Sequence, residues 1–269
     1  MHAKDPLVAE AKAFGFGKPT GVDLPGEASG RIADRAWKLA YWREMKGYYC
    51  KLDRTGTAKT PYMRLFAHEF CLDGNHYRAG DAVNFAIGQG DTMVTPLQLA
   101  RAYGALSNGG TLFEPRVAKA IVSPDGTVLR RIAPKASGHV PASKQSMEYV
   151  DQALLGTPKV GTLAWKFGDF PLDKVHIRGK TGSAEVLGKQ STSWVATYDE
   201  NYVVVMMITQ GGTGSGTSGP AVRAIWEALY GVDGMSVDQA RSAIQGVTPP
   251  DALPTFMHDG SILPPGRKE

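Results

Sequence analysis

Cysteine is scarce in this chain. Only Cys50 and Cys71 are present and neither lies in a C-x-x-C motif, which removes a thioredoxin-type redox centre from consideration. Long apolar runs are missing too. None approaches the roughly 18 residues of a membrane span, and Met1 to Asp5 is followed by no apolar h-region, so no signal peptide is expected. There is no block of like charge, and a net charge of +4 over 269 residues gives no reason to expect a nucleic-acid partner. No internal repeat occurs. Gly88-Gln89-Gly90 stands before a helical pattern, but it lacks the Walker Lys-Ser/Thr and does not fit G-x-G-x-x-G, so nucleotide binding is not expected. What remains is an ordinary globular composition, 42% hydrophobic and 21% charged, able to bury a real core.

Local signals place the elements. Asp5 caps a helix that opens at Pro6, with Leu7, Ala11 and Phe14 on one face. Gly21 to Glu27 reads as a short extended element and a turn. Residues 34–80 look least regular. Within them Asp34 caps a helix over Arg35 to Lys46, and Thr60-Pro61 opens a second reaching about Leu72. The aromatics Trp37, Tyr41, Trp42, Tyr48 and Tyr49 are expected in a core, a binding rim being the other reading. Thr95-Pro96 starts a helix that Asn108-Gly109-Gly110 stops. Thr111 to Val122 is a strand broken by Pro115, and Thr127 to Ile132 pairs back across a Ser123-Pro124-Asp125-Gly126 turn. Ser143 caps a helix to Leu155 with Gly156 ending it. Gly219 to Tyr230 is helical, Ser236 to Ile244 forms a short helix, and the proline-bearing segment 249–269 resembles a linker or tail that packs poorly.

The densest signal is Arg178-Gly179-Lys180-Thr181-Gly182-Ser183-Ala184-Glu185. A strand from Val175 leads into it, and Ser193–Tyr198 and Tyr202–Ile208 supply two more strands of an antiparallel meander. Glycines in a strand mark a close approach of another backbone or a ligand. Flanking a cation and a hydroxyl, Gly179 and Gly182 point to an anionic partner. An ordinary strand with a surface lysine is the other reading of the tripeptide alone. Trp194 and Arg178 are expected to be packing and strand-edge residues.

Several pieces occur in one order: Gly17-Lys18-Pro19-Thr20-Gly21-Val22-Asp23-Leu24-Pro25-Gly26-Glu27, then Ala86-Ile87-Gly88-Gln89-Gly90 with Thr95-Pro96-Leu97-Gln98, then Ser107-Asn108-Gly109-Gly110, then Gly179-Lys180-Thr181-Gly182-Ser183-Ala184-Glu185. Over about residues 6–231 this resembles the transpeptidase domain of class B penicillin-binding proteins, most of all the elongation-type branch, penicillin-binding protein 2. K-T-G is among the signatures of that superfamily. The resemblance implies an α/β (α+β) fold, an antiparallel sheet flanked by helices, as in serine β-lactamases and D,D-peptidases. It implies acyl transfer from peptidoglycan stem peptides ending in D-alanyl-D-alanine, and capture of β-lactams. Lys180 is then the motif's catalytic lysine. Thr181 and Ser183 bind the terminal carboxylate, Gly182 lets the substrate lie along the strand edge, and the Ser183 N–H is an oxyanion-hole donor. No cofactor or metal is expected. The implied setting is the extracytoplasmic face of the cell membrane, with cell-elongation scaffold proteins as further partners.

The family's other two motifs, S-x-x-K and S-x-N, are not in this sequence: no serine has lysine three residues on or asparagine two residues on. The chain is therefore expected to correspond to the C-terminal part of such a domain (1–231, with 34–80 as an insert and 232–269 as a tail), cut just after the second motif. A non-catalytic module for protein contact or muropeptide sensing is the alternative. In the oxidising compartment implied, Cys50 and Cys71 are disulfide candidates. A zinc set of Cys50, His68, Cys71 and His76, or two free thiols, are the other outcomes.

Overall fold

A computed structural model describes residues 5–244, with the backbone of 255–256 and 262–263. The poorly packed segment expected over 249–269 lies outside the described residues apart from those two short strands. The chain divides into two compact units, residues 1–19 with 28–98 and residues 20–27 with 99–269.

The first unit is helical. Helix α1 (Pro6–Ala13) is capped by Asp5, whose carboxylate accepts the Val8 N–H, and it buries Val8. Leu7, expected on the inner face, is instead 45% exposed. Helix α2 (Arg35–Thr55) starts at the Asp34 cap but runs well past Lys46, to an αL glycine at Gly56. Helix α3 (Pro61–Asp73) starts at the Thr60 cap. The stretch 34–80 is thus mostly regular helix, contrary to expectation. The expected packing of Tyr41, Trp42 and Tyr49 is realised as an aromatic seam that makes α2 and α3 a hairpin, with Phe66 and Phe70 as partners that were not foreseen. Tyr41 meets Phe70 edge-on, Tyr49 packs on Phe66 and Phe70, and Trp42 Nε1–H donates to the Phe70 carbonyl at 3.1 Å. Phe70 is buried, Tyr41, Trp42, Tyr49 and Phe66 are half-buried, and Tyr48 is exposed. Burial, with the Tyr41 hydroxyl, pushes the Tyr49 phenol up to about 12. Cys50 and Cys71 form a disulfide across the hairpin, Cα–Cα 5.0 Å. No metal-binding cluster of His, Cys, Asp or Glu is present among the described residues, so the zinc set is not realised. Helix α4 (Ala79–Ala86) follows, where no helix was expected.

Helix α5 (Pro96–Ser107) begins with a reciprocal cap. The Gln98 N–H donates to Thr95 Oγ1 at 3.1 Å, and Thr95 N–H donates to Gln98 Oε1 at 3.0 Å. Gln98 is 1% exposed, and its Nε2 donates to the Lys18 and Ser29 carbonyls at 2.8 Å each. A buried amide so bonded is architectural.

The second unit carries the sheets. Strand β1 (Thr111–Glu114) precedes a hairpin of β2 (Ala120–Val122) and β3 (Val128–Arg131), paired as expected, while β1 pairs with β4 (Lys135–His139), a partner not foreseen. Helix α6 (Lys144–Lys159) starts at the Ser143 cap but continues through Gly156 and Pro158. A four-residue helix α7 (Ala164–Phe167) follows. The main sheet is the expected meander: β5 (Arg178–Ala184), β6 (Thr192–Tyr198) and β7 (Val203–Ile208), antiparallel, in that order. Residues 175–177 precede β5 without joining it. A π-helical turn, Gly214–Ser218, leads into α8 (Gly219–Tyr230). The expected helix over 236–244 is replaced by a two-residue ladder, β8 (Val232–Asp233) with β9 (Ser236–Val237), and a 3₁₀ turn at Gln239–Arg241.

Helices cover both faces of this sheet. On one, Trp226 of α8 is fully buried with Leu163, Phe167, Ile177, Val195 and Val222, and its indole N–H donates to Thr197 Oγ1 at 2.9 Å. On the other, Tyr103 of α5 packs edge-on against Tyr198, whose hydroxyl donates to Asp151 of α6 at 2.9 Å. Within the same unit Asp23 accepts the Val117 and Ala118 N–H groups, and these bonds lower its pKa. Glu27 accepts the Thr20 N–H at 2.6 Å, the Thr20 hydroxyl at 2.5 Å and the Gly21 N–H at 3.0 Å. Desolvation alone would raise the Glu27 pKa, but these donors bring it below the usual carboxylate value.

Two outcomes follow. Reducing the disulfide should destabilise the α2–α3 hairpin by about 3 kcal/mol, the loop-closure term for a cross-link across 21 positions; melting with and without reductant measures it. Because the Glu27 pKa is depressed on folding, its contribution is present above the unfolded pKa and is lost as pH falls through the folded one. Glu27→Gln should therefore lower the melting temperature at pH 7 and flatten its fall in acid. Equal acid slopes in the two proteins would reject this.

Candidate functional site

Strand β5 brings the four predicted site residues together on an edge strand. The register pairs Lys180 with Ala196, Thr181 with Val195, Gly182 with Trp194 and Ser183 with Ser193. Period two then places Lys180 and Gly182 on the face shared by Tyr198, and Thr181 and Ser183 on the face shared by Thr197. Lys180 is exposed and its Nζ donates to the Thr181 carbonyl at 3.0 Å. Thr181 is half-buried, and its hydroxyl lies 2.8 Å from the hydroxyl of Thr162, in the α6–α7 turn. Ser183 is exposed, and its Oγ accepts the Gly214 N–H at 3.2 Å.

The glycines have distinct physical reasons. A Cβ at Gly179 would come within 2.7 Å of Thr197 Cγ2 and 2.9 Å of the Ala196 carbonyl, so this glycine lets β5 lie close on β6. A Cβ at Gly182 would lie 3.3 Å from Trp194 Cβ. The tightest contact is made from outside the strand. A Cβ at Gly214 would lie 2.4 Å from the Trp194 carbonyl and 2.6 Å from the Gly182 carbonyl. The π-helical turn is therefore seated directly on the backbone of the motif. Beneath it Ser193 Oγ bonds Ser218 Oγ at 2.7 Å and donates to the Thr213 carbonyl at 2.9 Å, both serines fully buried.

Arg178 anchors the start of β5. Its Nε forms an ion pair with Asp151 of α6 at 2.8 Å, and Nη1 donates to Glu200 Oε1 and the His176 carbonyl at 2.9 Å each. Burial would lower the guanidinium pKa, but Glu200 and Asp151 raise it above its ordinary value. Arg178 is thus the packing residue expected. Around it a cavity of about 470 Å³ is lined by His139, Lys144, Asp151, Arg178, Tyr198 and Glu200 among others.

Sequence reasoning missed Thr162, Asp151 and Gly214. The first two are single polar residues on a helix or turn, with no local signal of a partner. Gly214 sits in Gly211-Gly212-Thr213-Gly214-Ser215-Gly216-Thr217-Ser218-Gly219, and that run of small residues before a helix could have flagged a close backbone approach. Gly214→Ala should separate the π-helical turn from β5 and destabilise the second unit by several kcal/mol, on the order of an overpacking penalty or more. Urea unfolding checks this, and an unchanged midpoint would show that the turn yields freely.

Residues 2–227 match the family model described as the penicillin binding protein transpeptidase domain. The peptidoglycan D,D-transpeptidase MrdA of Haemophilus influenzae is 27% identical over 245 residues, covering 80% of this chain and 31% of the relative. The chain spans about a third of the length of the curated relatives it matches. Among solved structures, a chain of a peptidoglycan synthase complex superposes with a TM-score of 0.61 at 26% identity, over 86% of this chain and 34% of that one. Penicillin-binding protein 2 of Pseudomonas aeruginosa, solved with WCK 5153, shares the fold at a TM-score of 0.63 and 23% identity, over 91% of this chain and 46% of that one. An antiparallel sheet with helices on both faces, a K-T-G edge strand and a family match over most of the sequence agree: the chain belongs to the penicillin-binding protein transpeptidase domain family, in its class B branch.

Proposed function

We propose that this chain supplies the carboxylate-binding wall of a peptidoglycan D,D-transpeptidase, which cross-links stem peptides by acyl transfer through a serine acyl-enzyme. The observation that carries it is β5. An edge strand presents an exposed lysine and a threonine hydroxyl between two glycines, with a serine hydroxyl just beyond, and the backbone of Gly214 in the π-helical turn is seated tightly against it. Such a strand suits an anionic, extended ligand that approaches edge-on. In this reading Lys180 sets a positive potential beside the reacting centre. Thr181 and Ser183 grip the terminal carboxylate of a D-alanyl-D-alanine peptide, or that of a β-lactam. Gly182 gives the ligand backbone room along the edge, and the Ser183 N–H is one donor to the tetrahedral oxyanion. A preorganised donor of this kind is worth about 3 to 4 kcal/mol in the transition state. No cofactor takes part. The reaction belongs at the extracytoplasmic face of the cell membrane, where cell-elongation scaffold proteins would be neighbours. No helix among the described residues is long and apolar enough to cross a membrane.

The nucleophile and its base are not among these residues. Neither S-x-x-K nor S-x-N occurs in the sequence, so the serine, its lysine and the second oxyanion donor come from other polypeptide in this reading. That same lack favours the second reading, a non-catalytic module that recognises muropeptides or a protein partner through the same strand.

A fluorescent penicillin separates the two. The chain itself, incubated and then denatured, should carry no covalent label, because Thr181 is the hydroxyl adjacent to Lys180 and its role is to bind. A stoichiometric label would require a nucleophile elsewhere in the chain and overturn the assignment. Preceded by a segment carrying the S-x-x-K serine and the S-x-N pair, the chain should acquire the label. Lys180→Ala should then slow labelling on the order of a hundredfold, and an undiminished rate would remove Lys180 from the site.

A further inference from the structure

We propose that Thr162 is a positioning residue that turns the Thr181 hydroxyl proton toward the bound carboxylate. This rests on the assignment of β5 as a carboxylate-binding strand. The two hydroxyl oxygens are 2.8 Å apart, and either can be the donor. A carboxylate accepts hydrogen bonds and cannot donate them. Thr181 can therefore serve it only by donating its proton outward. The bond to Thr162 must then run one way, with the Thr162 O–H donating to Thr181 Oγ1. A hydroxyl that accepts one hydrogen bond is polarised into a better donor for the next. The relay runs from Thr162 through Thr181 to the ligand.

The surroundings of Thr162 suit that task. Its backbone is pinned on both sides. The Gly161 N–H donates to the Gly156 carbonyl at 2.8 Å, and a Cβ at Gly161 would lie 2.9 Å from Thr157 Cα. The Leu163 N–H donates to the Thr157 carbonyl at 3.1 Å, and the Leu163 side chain is fully buried in the main core. The Thr162 carbonyl accepts the Trp165 indole N–H at 3.1 Å. The turn thus delivers one exposed hydroxyl to the edge of β5 from a backbone that cannot drift. It also does so where α6, bound to Arg178 through Asp151, gives way to α7, buried against α8. The relay is preorganised from both faces of the sheet.

Because the Thr162 side chain is exposed, its hydroxyl can be removed without emptying a core position. The test uses the full chain, Thr162→Val and Thr162→Ser. Three-bond couplings from the Thr181 methyl carbon report its χ1 rotamer. Wild type and Thr162→Ser should show a single rotamer and Thr162→Val an averaged one. A single unchanged rotamer in Thr162→Val overturns the positioning role. N-acetyl-D-alanyl-D-alanine and its C-terminal amide are then titrated. The Kd of the acid should rise about three- to tenfold in Thr162→Val, the worth of one such hydrogen bond. It should be unchanged in Thr162→Ser, and the amide should bind all three alike. An unchanged Kd for the acid in Thr162→Val, with the rotamer averaged, overturns the relay. If the wild type binds the acid no better than Lys180→Ala does, the β5 assignment fails and the relay with it, whatever the rotamer shows.

Discussion

The second unit depends on one steric constraint, the seating of Gly214 on the backbone of Gly182 and Trp194. No side chain fits between these segments, so the π-helical turn, strand β5 and strand β6 have one relative position. The buried Ser193–Ser218 pair locks that position chemically, since either hydroxyl unpartnered would cost about 1 to 3 kcal/mol. Helix α8 then begins at a fixed point, and Trp226 reaches Thr197. The rigidity of the motif strand is inherited from the chain behind it, which explains how residues as exposed as Lys180 and Ser183 can hold a defined geometry.

Polar groups in this protein divide by what they hold. Gln98, Asp23, Glu27 and Asn108 satisfy backbone donors and acceptors of neighbouring loops. They fix how connections run. Arg178, Asp151 and Glu200 fasten one strand end to a helix and a turn. The β5 residues Lys180, Thr181 and Ser183 stand at an edge where a ligand can reach them. The family's sequence fingerprint thus mixes two kinds of residue. Residues of three of its four pieces make the loop-fixing bonds, and the fourth is the strand proposed to bind the ligand.

This division decides how much could be read in advance. The meander was legible because its strands are β-branched and separated by Asp199-Glu200-Asn201. The caps at Asp5, Asp34, Thr60, Thr95 and Ser143 were legible because capping is local. Helix ends were not: α2 ran through Gly47 to the αL glycine Gly56, and α6 ran through Gly156 and Pro158, since an interior glycine costs only about 1 kcal/mol and need not end a helix. The β1–β4 pairing joins strands separated by the whole β2–β3 hairpin, and no neighbouring signal announces it. At the site, the glycines and the lysine stood out in sequence. Thr162 did not, because a single threonine 19 positions from its partner looks like any surface residue.

The disulfide has a topological meaning beyond its stabilisation. Cys50 and Cys71 close residues 50–71 into a covalent ring that includes the link from Gly56 to Thr60, exposed except at Ala58. A protease cutting in that link would open the ring without releasing a fragment, and α2 and α3 would stay tethered through sulfur and through their aromatic seam. In a reducing medium the same cut would yield two separate chains. A compartment that preserves the bond thus makes this link a place where backbone damage need not become loss of structure.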